Sequence, residues 1–87
     1  MKLWLLEAKC DLPYGDDPWD PWYDKAFGHV VRAATEHEAR KIADANAGAE
    51  NRESYLGKPW IDERYSTCIE LIADGEPGII ITDMQAA

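Results

Sequence analysis

The chain has 87 residues, of which 46% are hydrophobic, enough for one domain (1–87) and one core that buries about 60–65% of the surface of the unfolded chain. Seventeen acidic against nine basic side chains give a formal net charge of −8, which excludes a grip on nucleic acid or an anionic membrane and favours basic partners. The first apolar run, Leu3-Trp4-Leu5-Leu6, meets Glu7 and Lys9 at once and is too short for a signal peptide or a membrane span, so the expected location is the cytoplasm.

Lys2 to Cys10 reads as the first strand, because Leu, Trp and Leu occur together without a turn residue. Trp4 and Leu6 fall on one parity, Leu3 and Leu5 on the other. A strand that is apolar on both faces belongs in the middle of a sheet.

Asp11 to Phe27 interleaves five aspartates with five aromatics and three prolines. Pro13, Pro18 and Pro21 each remove a backbone donor, and Gly15 adds a turn, so no regular element persists here. A connection of about 14 residues is far longer than a hairpin loop, and long ordered loops often carry function. Tyr14, Trp19, Trp22 and Tyr23 are the candidate binding anchors, with Asp16, Asp17, Asp20 and Asp24 as the charges around them. An equally weighted reading folds Trp19, Trp22 and Tyr23 back as a cap on the core. The same aspartates could offer oxygen ligands to calcium or magnesium. Their spacing is not that of an EF-hand, and a solvated acidic loop is the favoured reading, with no metal and no cofactor.

Phe27 to Ala33 reads as the second strand, with Phe27, His29, Val31 and Ala33 on one parity and Arg32 on the wetter side. Thr35 and Glu38 form a capping box, predicting a helix to about Ala47 whose buried stripe is Ala39, Ile42, Ala43 and Asn46 or Ala47. Glu36 and Arg40 stand four apart as an ion pair, His37 is exposed, and Gly48 suits the terminating turn.

Asn51 to Tyr65 is polar and irregular, with Tyr55, Leu56, Trp60 and Ile61 as apolar anchors. Tyr65 to Ala73 reads as a third strand, Asp74 to Gly78 as a turn, and Ile79 to Thr82 as a fourth strand. The expected fold is α+β: a mainly antiparallel four-stranded sheet of order second, first, third, fourth (β-β-α-β-β), with one helix packed on one face. A helix of about 12 residues covers only that face. The opposite face, with apolar side chains from among Leu3, Leu5, Val30, Ile72 and Ile80, then needs the acidic loop, a second copy or a partner to cover it.

Little in the chain points to catalysis. No Ser or Cys stands in a recognisable strained turn, neither histidine has a local partner pattern, and glycine-rich phosphate loops are absent. Cys10, His29 and Cys68 could converge as soft metal ligands on adjacent strands, but packed core residues are the favoured reading. Cys10 and Cys68 lack CxxC spacing and read as reduced thiols, with a disulfide as the alternative if their strands are neighbours.

Tyr23-Asp24, Val30-Val31-Arg32-Ala33 and the run Thr35-Glu36-His37-Glu38-Ala39-Arg40-Lys41-Ile42-Ala43 together resemble a group of small proteins encoded by bacteriophages and prophages. Trp60, Thr67-Cys68-Ile69-Glu70-Leu71-Ile72 and Pro77-Gly78-Ile79-Ile80 extend the resemblance, while the Trp- and Pro-rich insert before Tyr23 departs from it. The group brings no activity to carry over. In size and acidity it is similar to anti-CRISPR inhibitors, which implies the host cytoplasm and a host protein as target. The resulting expectation is a non-enzymatic protein-binding module that inhibits a host protein with a basic surface through its acidic aromatic loop. A homo-oligomeric accessory protein, a homodimer for instance, is the first alternative, and a metal-dependent enzyme the second.

Overall fold

A computed structural model of the chain describes residues 1–9, 12, 18–19, 27–47 and 58–82. Strands β1 (Lys2–Ala8) and β2 (Gly28–Ala33) precede helix α1 (Glu36–Ala45), and strand β3 (Ser66–Leu71) follows it. The strands form one antiparallel sheet of order β2-β1-β3, so the strand that is apolar on both parities is the central one. Leu6 is aligned with His29 on β2 and with Cys68 on β3, and this register sets both faces. Beyond the strands, the Ala8 amide donates to Phe27 O and the Lys9 amide to Tyr65 O.

Helix α1 starts where the capping box predicts. Thr35 is extended at φ −138° and ψ 163°, and its Oγ1 accepts from the Glu38 amide at 3.2 Å. Glu36 and Glu38 place negative charge in the first turn, where the helix dipole favours it. At the other end the Asn46 side chain donates to Ile42 O at 2.8 Å, closing the helix two residues before the expected end; Gly48 lies outside the described residues. Thr35→Ala should lower stability by about 1 kcal/mol and Thr35→Ser by much less, read from urea unfolding. Equal losses in the two variants would show that the cap hydroxyl is not what counts.

The core lies between α1 and one face of the sheet. It joins Leu6, Val31 and Ala33 from the strands, Ala39 and Ala43 from the helix, and Trp19, Trp60 and Tyr65 from the connecting segments. The helix contributes only alanines, so it lies close, and the two indoles fill the space beside it. Trp60 is held in a tight turn in which Lys58 O accepts from the Ile61 and Asp62 amides. At the surface of that turn the Arg64 side chain hydrogen-bonds Asp62 and holds its carboxyl below the usual range.

Three expectations are corrected. Ile79–Thr82 is not a strand: Ile79 and Ile80 are 84% and 67% exposed, and the sheet has three strands among the described residues. An isoleucine run has strand propensity only where neighbours pack on it, and here the three side chains are 48–84% exposed. Ile42 is exposed, and Arg40 takes its place in the buried stripe because its guanidinium finds carbonyl partners there. Phe27 lies before β2 and is exposed.

Candidate protein-binding face

The helix-facing side of the sheet carries Trp4, Leu6 and Ala8 of β1, His29, Val31 and Ala33 of β2, and Ser66 and Cys68 of β3. By strict alternation, the other side carries everything between them. It is a grid of three rows: Arg32-Leu3-Leu71, Val30-Leu5-Ile69 and Gly28-Glu7-Thr67, each written from β2 through β1 to β3.

Five of these nine residues are aliphatic and contiguous. Leu5, at the centre, is only 6% exposed, whereas Val30 and Ile69 on either side are 52% and 55% exposed and Leu3 is 40% exposed. Helix α1 packs on the opposite face, so this patch is not part of the main core. Ile72, past the end of β3, and Ile79, Ile80 and Ile81 are exposed elsewhere in the chain, outside the paired strands. Contiguous exposed aliphatic surface bordered by charge is the signature of an interaction site rather than of scattered surface residues. Ile72 and Ile80, expected on this face, lie outside the strands; Ile69 and Leu71 hold those positions instead.

Of the eight residues expected to bind, Trp19 is among the described residues, and it is buried. Its ring meets Trp60 edge-on, with centroids 4.8 Å apart, and its indole N–H donates to Tyr65 O at 3.0 Å. Tyr65 O thus accepts from both Lys9 and Trp19, tying the acidic segment to the start of β3. Tyr14, Asp16, Asp17, Asp20, Trp22, Tyr23 and Asp24 lie outside the described residues.

Two of the three soft-ligand candidates, His29 and Cys68, are among the described residues. They stand on the strands either side of Leu6, two strand spacings or about 10 Å apart along the backbone. His29 packs edge-on against Trp60 at 4.7 Å. Cys10 lies outside the described residues. Cys68 is a free thiol whose burial pushes its pKa up, against the smaller pull of Arg40, so the protonated form is favoured. Among the described residues no group of three His, Cys, Asp or Glu could hold a metal ion, and no helix is long and apolar enough to cross a membrane.

Sequence reasoning missed the buried role of Arg40. The guanidinium reaches Glu36 Oε2, Trp60 O, Ser66 Oγ and Ser66 O at 2.9–3.2 Å, fastening α1 to the Trp60 turn and to β3. Only the Glu36 partner, four residues away, was visible as a spacing.

Among the described residues the chain is a small α+β protein whose helix covers one sheet face and whose other face carries exposed aliphatic side chains. No family model, curated protein or solved structure matches the chain.

Proposed function

We propose that this chain is a small acidic protein-binding module without chemistry of its own, and that the helix-free sheet face is its main recognition surface. The observation that carries this reading is the run Leu3, Leu5, Val30, Ile69 and Leu71, which no helix covers among the described residues, on a domain that has built a separate core on the opposite face. The net charge of −8 favours and steers basic partners. In the setting implied by the phage resemblance, a host protein is the expected target, with the aspartates of residues 11–24, rather than the sheet face, supplying the charge that attracts it. Trp19 serves that segment as an internal tether rather than as a contact.

The test replaces Val30 and Ile69 together by aspartate. Both side chains are half exposed, so the fold should survive, with a thermal midpoint within about 8 °C of the parent. The variant should lose the parent's associations, measured by sedimentation for self-association and by affinity capture from bacterial lysate for other proteins. A variant that keeps every association of the parent removes the sheet face from the function.

A further inference from the structure

We infer that the occupant of the helix-free face is a second copy of this chain, stacked sheet to sheet with the strands of the two copies antiparallel. This rests on the reading of that face as a protein-binding surface, and it adds the identity and the geometry of the partner.

The charge on the face points to the occupant. The chain as a whole is strongly acidic, yet the grid carries one cation, Arg32, and one anion, Glu7. A face meant for a basic partner would be expected to concentrate carboxylates; this one is balanced. Its two charges sit in opposite outer rows, with the Val30-Leu5-Ile69 row between them. They are four residues apart along the strand direction, or about 13 Å, too far to pair within one copy. Among the described residues neither belongs to an ion pair.

A twofold contact that keeps the strands of two such faces aligned can place its axis in one of two ways. With the axis along the strands, Glu7 of the central strand lies opposite its own copy, and like charges meet as the face is desolvated. With the axis across the strands, along the Val30-Leu5-Ile69 row, Arg32-Leu3-Leu71 lies over the partner's Gly28-Glu7-Thr67. The aliphatic rows then stack on each other, and Arg32 stands over Gly28 of the partner. Gly28 has no side chain to block the approach, and the Glu7 Cγ lies 3.8 Å from where a Cβ on Gly28 would be, with Leu6 O nearer at 3.1 Å. At the usual sheet spacing of about 10 Å, an arginine and a glutamate reaching from opposite sheets can meet there. The symmetry makes this pair twice.

Area limits the affinity. The grid measures about 20 by 14 Å, roughly 300 Å² per copy, against about 800 Å² per partner in a standard stable interface. A dissociation constant in the micromolar range is the expectation, on the order of 10–500 µM.

The experiment is sedimentation equilibrium of the intact chain from about 5 µM to about 1 mM, with Arg32→Glu, Glu7→Arg and the double swap Arg32→Glu/Glu7→Arg. The parent should shift from monomer to dimer across this range. Each single reversal should weaken the dimer about tenfold or more, and the double swap should bring it back to within about threefold of the parent. That recovery is specific to a contact between copies, since the two positions are too far apart to pair in one chain. Far-UV circular dichroism checks that all four proteins are folded. A parent that stays monomeric throughout overturns the inference, as does a dimer indifferent to the single reversals or not recovered by the swap. If the parent is monomeric but captures another protein that the Val30→Asp/Ile69→Asp variant does not, the second copy is wrong and the binding face stands. If it does neither, both fall.

Discussion

Truncating Trp60 to alanine is expected to lower the urea midpoint of unfolding by roughly 3 M, at an m-value of about 1 kcal/mol/M, and to leave the chain close to unfolded at 37 °C. Trp60 is the largest fully buried side chain among the described residues, and two rings meet it edge-on, Trp19 at 4.8 Å and His29 at 4.7 Å. Removing it forfeits the transfer free energy of an indole and leaves a cavity beside helix alanines too small to collapse into it, a loss of about 3–5 kcal/mol. A domain of this length has a total stability of only about 4–13 kcal/mol. Trp19→Ala belongs to the same class, because that ring fills the same space and its N–H satisfies Tyr65 O. A Trp19 truncation therefore reports on folding and cannot test recognition. Ile79→Ala is the control: at 84% exposure its midpoint should not move. A shift of under about 1 M for Trp60→Ala would mean that the core can repack around the missing ring.

The parts of this fold that could be read from sequence are those specified by neighbours along the chain. Leu3 to Leu6 shows both of its faces in four residues, and the central place of β1 follows from that alone. Thr35 and Glu38 announce the helix start because a cap is a local hydrogen bond. Residues whose roles come from contacts distant in sequence were harder to place. Trp60 sits in a polar stretch with no period, and its role depends on Trp19, 41 positions earlier, arriving at the same place. The buried stripe includes Ile42 and leaves out Arg40 when side chains are ranked by polarity alone, whereas the space beside α1 contains the Trp60 and Ser66 carbonyls that only a donor can use. For the candidate site, alternation sorts Leu3, Leu5 and Val30 onto one face. That Ile69 and Leu71 join them depends on the β1 to β3 register, which pairs Leu5 with Ile69. The three isoleucines after Gly78 carried a strand's composition without a strand's neighbours.

Arg40 provides the second large effect, and its variants separate two explanations of what the side chain does. The guanidinium is 6% exposed, donates to Trp60 O at 3.1 Å and to Ser66 O at 3.2 Å, and meets Ser66 Oγ at 2.9 Å; that hydroxyl in turn donates to Pro59 O at 2.7 Å. Its carboxylate partner, Glu36 at 2.9 Å, has a side chain that is half in water. If the clamp on buried carbonyls dominates, Arg40→Met should cost about 2–4 kcal/mol, because two carbonyls lose their charged donor and each unsatisfied group costs about 1–3 kcal/mol. Glu36→Gln should then cost under about 1 kcal/mol, the range of an ion pair with one partner in solvent. Arg40→Lys should fall nearer to methionine than to arginine, since a single ammonium cannot serve partners on two sides as a planar fork does. All three are read from urea unfolding at one ionic strength. Equal losses from Glu36→Gln and Arg40→Met would show that the helix is held by its own ion pair, and that the carbonyls of the Trp60 turn find other donors once Arg40 is gone.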